Sequence, residues 1–353
     1  MHLVCFEREE LPAGLPTAAR LALPSAPALP GLEGSRARPG CLRLGALLPL
    51  GPQAGDVVDL NRALAVRLAL DDVGAPEAAA DALLPSEPLA FLRRFEGSIA
   101  EARRALDFVL ESLGRWDAPD LARAEVVLPR RQVRLAAPVP RPGKILAVAR
   151  NYGAHAAERG AAAPEEPVLF LKASSAVIGP EDDVVLPRAS EAVDYEGELA
   201  LVIGRRARHL PAERALDCVA GYTVANDVSA RDFQNVRGQH FVGKSCDTFA
   251  PLGPALVTAD EIPDPQDLAL HTRVSGELMQ SARTKEMIFP LAAILAFASR
   301  LMTLEPGDVV LTGTPAGVGA GRRPPRWLRE GDVVEVEIER LGRLRNRVRR
   351  ESA

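Results

Sequence analysis

Apolar and polar positions change rhythm once along this chain, near residue 140. Before that point HLVCF at 2–6 predicts a short strand, and the Pro/Ala-rich PSAPALPGLEG at 24–34 predicts a loop. CLRLGALLPL, a Gly51-Pro52 turn and DVVDL predict a hairpin, with NRALAVRLAL turning helical after it. Ser98 to Glu101 has the spacing of a capping box and predicts a helix start. Behind it Ile99, Ala102, Leu106, Val109 and Leu113 recur near the helical period, and Gly114 predicts the stop. No enzymatic constellation falls in this part, which reads as a small α/β accessory domain over 1–136.

After the Pro-rich connector LAAPVPRPGK, short β-type segments dominate: KILAVA, PVLFLKA, DVVLP, ELALVIG, GYTVA, PALVT, LALHTRVSG, DVVLTG and DVVEVEIE. Glu335, Glu337 and Glu339 alternate with valine and isoleucine, predicting a strand with one wet face. FPLAAILAFASRLMTL is apolar on nearly all sides and predicts a buried helix. The fold class expected is α+β and mostly β, with the larger domain over 137–353; a doubly wound βαβ sheet is not expected.

Composition narrows the partners. The net charge of −4 gives no nucleic-acid footprint, and the Arg-rich GRLRNRVRR near the C-terminus is short and local. No apolar run is long enough to span a membrane. MHLVCFEREE lacks an apolar core and is acidic early, which makes the cytosol the default expectation. Four scattered cysteines without a CxxC pair predict reduced thiols. Of 43 basic residues only Lys144, Lys172, Lys244 and Lys285 are lysines, so each is a candidate for a position that needs an amine.

Candidate chemistry begins at VDYEGELALVIG. Glu196 and Glu198 stand two apart on a predicted strand and share a face, and Asp227 arrives at the end of a second one. Three convergent carboxylates repel one another unless a cation sits among them, and a hard divalent ion such as Mg²⁺ takes oxygen ligands. One acidic strand taken alone reads more readily as a solvated face; the neighbouring Asp227, Arg231 and Asp232 shift that balance. His155 and Glu158, three apart, share a helical face and could form a general-base pair, or stand exposed on a surface helix. Lys172 and Lys244 could each anchor a carboxylate or snorkel at the surface. LTGTPAGVG is a strand running into a Gly/Thr/Pro turn whose N–H groups could approach a ligand, with Thr314 adding a hydroxyl; it lacks the ending of a P-loop.

NYGAHAAE, PVLFLKASSAVIGP, VDYEGELALVIG, GYTVANDVSARDFQ, GKSCDTFAPLGPALVT and PGDVVLTGTPAGVG, in this order, resemble the fumarylacetoacetate hydrolase family over roughly residues 140–349. The ending GVGAGRRPPRWLREGDVVEVEIERLG is similar to the domain-containing subgroup that includes mitochondrial oxaloacetate tautomerases. The resemblance implies a mixed β-roll, a homodimer and one Mg²⁺ or Mn²⁺ per site. It implies Glu196, Glu198 and Asp227 as metal ligands and His155 with Glu158 as the catalytic dyad. It also implies Lys244 as the charge-neutralising lysine, with Arg231, Gln234 and Thr314 near the substrate. Arg150 and Cys246 depart from residues common in the family.

The expected reaction is metal-dependent C–C hydrolysis of an acylpyruvate or fumarylpyruvate through a stabilised enolate. Oxaloacetate tautomerisation or decarboxylation and 2-hydroxyhepta-2,4-diene-1,7-dioate isomerisation are the alternatives on the same site. A non-catalytic scaffold is the remote one. The expected partner is a small 2-oxo acid.

Overall fold

The computed structural model describes residues 1–8, 41–49, 54–113, 125–158, 160, 162–234 and 239–352. The predicted loop at 24–34, the Gly51-Pro52 turn and the Gly114 stop lie outside them. The chain divides into two compact units, Met1–Leu135 and Ala136–Ala353.

In the first unit, β1 (His2–Arg8), β2 (Arg43–Leu47), β3 (Val57–Asp59) and β4 (Val127–Leu128) pair successively antiparallel, and β5 (Val133–Ala136) pairs with β1. The predicted hairpin is β2–β3, in register Gly45 to Asp59. Asp59 then caps α1 (Leu60–Leu70) by accepting from the Arg62 N–H, and α2 (Pro76–Leu83), α3 (Pro88–Arg93) and α4 (Phe95–Ser112) follow. The capping-box expectation is corrected: α4 starts at Phe95, three residues before Ser98, and Arg94 at its N-cap makes no side-chain cap. The Phe95 ring packs edge-on against Phe91, with centroids 5.6 Å apart, which anchors the earlier start. Ser98, Ala102, Ala105, Val109 and Ser112 form the buried stripe, so the helical period holds but the face is rotated from the one expected.

In the second unit one sheet runs in the order β14 (Ala250–Thr258), β12 (Val219–Asn226), β11 (Gly197–Ile203), β17 (Val309–Leu311), β6 (Ile145–Ala149) and β7 (Val168–Lys172). β8 (Val177–Ile178) pairs parallel with β14, and β17 pairs parallel with β6. A second sheet runs β16 (Glu277–Arg283), β15 (Ala269–Val274), β18 (Val333–Ile338), β19 (Gly342–Arg350) and β9 (Val184–Leu186). The two sheets pack on each other through β11 on β15, β12 on β18 and β14 on β19. Neither closes on itself among the described residues. Every residue of β11 and β12 is buried, as near-continuous apolar strands covered on both faces should be. A short pair, β10 (Val193–Asp194) with β13 (Ser229–Ala230), sits at the ends of these strands.

The alternation expected of 335–339 is present: Val334, Val336 and Ile338 point inward, and Glu335 pairs outward with Arg343 and Arg345. The Arg-rich segment is more than a local charge. It is β19, where buried Leu344, Asn346 and Val348 alternate with exposed arginines. The helix at Leu291–Leu301 is half-covered rather than wholly buried. Leu291, Ile294, Leu295, Ala298 and Ser299 face the core, Leu301 is 58% exposed, and the Arg300 guanidinium lies over the Phe297 ring. No described helix is long and apolar enough to cross a membrane. All four cysteines are free thiols.

Candidate active site

The antiparallel register of β11 on β12 sets Gly197 opposite Asn226 and Glu198 opposite Ala225. Just beyond the ladder Asp227 N–H donates to the Glu196 carbonyl at 2.8 Å, and Glu196 N–H donates to Asn226 Oδ1 at 2.9 Å. Strand pairing therefore gathers the three carboxylates predicted from spacing. Oxygens of Glu196, Glu198 and Asp227 all lie within 4.8 Å of one another, and all three residues are buried. The solvated-face alternative is excluded for them, and for Asp194 beside them.

Cations answer this charge unevenly. Lys244 Nζ donates to Glu196 and to Asp227, both at 2.6 Å, and Lys172 Nζ donates to the other Asp227 oxygen at 2.5 Å. Arg231 donates to Glu196 at 2.5 Å, to Asp194 at 2.9 Å and to Gln234 Oε1 at 2.9 Å. Burial alone would raise the Glu196 carboxyl, yet Lys244, Arg231 and His155 hold it well below the usual carboxylate range. Glu198 goes the other way. Burial, then the charges of Asp227 and Glu196, push it well above that range, against the smaller pull of the Lys244 charge and of the Gly313 N–H at 2.8 Å. No Lys or Arg side chain pairs with Glu198 among the described residues. Burial lowers the Lys172 ammonium, against the pull of Asp227.

A divalent cation fits this donor set. Three hard carboxylate oxygens converge, and one of those carboxylates forms no ion pair with a Lys or Arg among the described residues.

The remaining predicted residues surround the trio. His155 and Glu158 sit on a short helix, α5 (Gly153–Glu158), with Nδ1 3.4 Å from Glu158 Oε2. The Glu158 carboxylate also accepts the Gly317 N–H at 3.1 and 3.2 Å. It lies so close to Gly321 that a Cβ there would meet its Cδ at 2.2 Å. Thr314 Oγ1 donates to the Gly197 carbonyl at 3.0 Å and accepts from Gln280 Nε2 at 2.7 Å. Arg231 and Gln234 belong to α6 (Arg231–Gln234), and Lys244 ends α7 (His240–Lys244). Glu196, Glu198, His155, Lys244, Arg231, Gln234 and Thr314 all line one cavity of about 380 Å³, together with Arg150, Phe170 and His240. Asp232, by contrast, turns to Ser190 and the Glu191 N–H.

Sequence reasoning missed His240, Phe170, Gln280 and the role of Asp194. His240 stands four residues before Lys244, on the same helical face, which was a readable signal. Its imidazole stacks on Phe170, and burial followed by the Lys244 charge lowers its pKa. Asp194 accepts from the N–H groups of Gly319 and Ala320 at 2.7 and 3.0 Å, tying the 313–321 turn to Arg231. No sequence pattern announces that long-range contact.

Comparison with known proteins agrees with this architecture. The Fumarylacetoacetate (FAA) hydrolase C-terminal family matches residues 144–349. The chain belongs to this family of enzymes. It is 46% identical over 267 residues to a mitochondrial oxaloacetate tautomerase of Bos taurus, covering 75% of this chain and 80% of that protein. Among solved structures, fumarylacetoacetate hydrolase from Exiguobacterium antarcticum is 37% identical with a TM-score of 0.67, covering 89% of this chain and 97% of that one. 2-Hydroxyhepta-2,4-diene-1,7-dioate isomerase from Mycobacterium marinum is 43% identical with a TM-score of 0.57, covering 64% and 82%. The cytosolic expectation is overturned by the tautomerases of Bos taurus, Homo sapiens and Rattus norvegicus, which are mitochondrial proteins. That expectation rested on ten N-terminal residues, too short a stretch to exclude an organellar address.

Proposed function

We propose that this chain catalyses enol–keto tautomerisation of oxaloacetate. The observation that supports this reading most is that His155, of the His–Glu pair, shares one cavity sized for a small acid with Glu196 and Glu198 of the buried carboxylate trio. The names of the relatives support the choice of substrate. Glu196, Glu198 and Asp227 would hold a Mg²⁺ or Mn²⁺ ion. Such an ion supplies electrostatic stabilisation for the negative charge that grows on a 2-oxo acid as its neighbouring carbon loses a proton.

Lys244 and Arg231 bring positive charge to the cavity lining and would orient the anionic acid. Thr314, fixed by Gln280 and the Gly197 carbonyl, lines the same cavity. Glu158 faces His155 Nδ1, which leaves Nε2 as the atom that exchanges a proton with the substrate. In the keto-to-enol direction Nε2 takes a proton from C3. The C–H electron pair becomes the C2–C3 double bond, the carbonyl π pair moves onto the 2-oxo oxygen, and the proton held on Nε2 passes to that oxygen, which returns the imidazole to its neutral form as the enol leaves. The reverse direction returns the proton to C3.

A second reading is hydrolysis of the C3–C4 bond of an acylpyruvate, supported by the near full-length likeness to the Exiguobacterium hydrolase. There the same His155 atom would deprotonate a water that attacks the 4-carbonyl. Ultraviolet absorbance and product NMR on oxaloacetate, acetylpyruvate and fumarylpyruvate, each with Mg²⁺ and Mn²⁺, separate the two. Faster loss of the oxaloacetate enol without cleavage is the expected result. Acylpyruvate cleavage without that acceleration would replace the first reading by the second.

A further inference from the structure

The cavity carries a second group of donors that the reaction above does not use. Arg231 Nη1 can only donate, so the Gln234 atom that it meets is the amide oxygen. The other end of that amide is then Nε2, which donates to His240 Nδ1 at 2.8 Å. Nδ1 is therefore the bare nitrogen of a neutral imidazole, and the ring proton sits on Nε2. The ring is held by its stack on Phe170, with centroids 5.1 Å and planes 21° apart. Among the described residues, none accepts from that Nε2–H.

Arg150 lines the same cavity. It follows β6 in left-handed backbone with φ 56°, an uncommon conformation for a residue with a side chain. The next residue, Asn151, is pinned by bonds to the carbonyls of Thr312 and Phe289 and from the Phe289 N–H, so the strained position is fixed from one side. Among the described residues the Arg150 guanidinium has no ion pair and no hydrogen bond, yet its charge is felt at the His240 ring. A half-buried guanidinium and a ring N–H that share one cavity, neither paired among the described residues, are a ready match for a carboxylate, which a guanidinium fork binds through two parallel bonds.

We propose that Arg150 and His240 form an anion subsite for a second carboxylate, so that the cavity prefers dicarboxylic 2-oxo acids to monocarboxylic ones of equal length. The inference rests on the oxo-acid reading of the site. It is tested by calorimetry with Mg²⁺ present, comparing 2-oxoglutarate with 2-oxopentanoate, which has a methyl in place of the distal carboxylate. The wild-type protein is expected to bind the diacid about tenfold or more tightly, the scale of a charge-assisted bond. Arg150→Gln, and His240→Phe with its ring stack kept, should each bring the ratio of affinities toward one, while Arg150→Lys should keep part of it. A wild-type ratio near one overturns the subsite alone, and so does a ratio that Arg150→Gln leaves intact. Binding of neither acid overturns the oxo-acid reading and the subsite with it.

Discussion

In the N-terminal unit, buried Arg43 meets Asp59 through two hydrogen bonds of 2.5 and 3.0 Å, and Asp59 also caps α1. Asn61 completes the group through Asp81 and the Leu84 carbonyl. In the C-terminal unit, four buried carboxylates, Asp194, Glu196, Glu198 and Asp227, face three buried cations, Lys172, Arg231 and Lys244. The first cluster is complete within the chain. The second leaves Glu198 without a Lys or Arg ion pair among the described residues and opens onto a cavity. Both units bury charge, so burial alone says nothing about function; what differs is whether the chain itself supplies the matching charge.

The sharpest way to break this contrast is to remove a group from the open cluster's rim. His155→Ala should lower turnover about 10²- to 10⁴-fold, the usual worth of a general base. Calorimetry should still register Mn²⁺ binding in that variant, whereas Glu196→Ala and Asp227→Ala should abolish it. Retained Mn²⁺ affinity in the carboxylate variants would remove the ligand set. In the complete cluster, Asp59→Ala strands Arg43 and should cost about 3–5 kcal/mol of stability by urea unfolding. Its turnover per folded molecule should hold, and a loss of activity exceeding the loss of stability would show that this cluster too is functional.

Glu198 gives a subtler test. The folded chain keeps a proton on this raised carboxyl that the unfolded chain releases above about pH 4.3. Its contribution to the stability of metal-free protein therefore falls as pH rises through that value, until the folded pKa is passed. Glu196 has the opposite sign: its held-down carboxyl contributes above about pH 4.3 and is lost as pH falls toward its folded value. Glu198→Gln should then raise the Tm of metal-free protein at pH 7 by about 2–4 °C or more, with no gain near pH 4. The same variant should lose the Tm increase that Mg²⁺ gives the wild type. A lower Tm at pH 7 would mean that Glu198 is satisfied after all.

The smallest effect belongs to the wet charges. Glu335 pairs with Arg343 and Arg345 at 3.2 and 3.6 Å on the outer face of β18 and β19. Glu335→Gln should cost less than about 1 kcal/mol, and added salt should erase even that.

Much of the second unit was readable because its strands announce themselves by apolar runs and its site by local spacing. Glu196, Glu198, His155 and Glu158 all lie within four residues of a partner. The misses are of three kinds. β19 was hidden because arginines outnumber the residues that actually face the core, Leu344, Asn346 and Val348. The helix Leu291–Leu301 was overread because an all-apolar pattern does not say which face is covered. Asp194, Gln280 and His240 were invisible or faint because their roles depend on contacts across 34 to 126 positions, or on a stack with Phe170 that only the folded sheet creates.

The approach of Glu158 to the turn at 313–321 has a consequence for mutational tolerance. Neither Gly317 nor Gly321 carries a functional group. A Cβ at Gly317 would meet the Met279 carbonyl oxygen at 2.0 Å from a backbone at φ 103°, and one at Gly321 would strike the Glu158 carboxylate. A saturation library scored for activity should therefore show these two positions as nearly as intolerant as His155 itself. In such a map the catalytic pair would cast its shadow on two residues that contribute no side chain, only backbone and the room beside it.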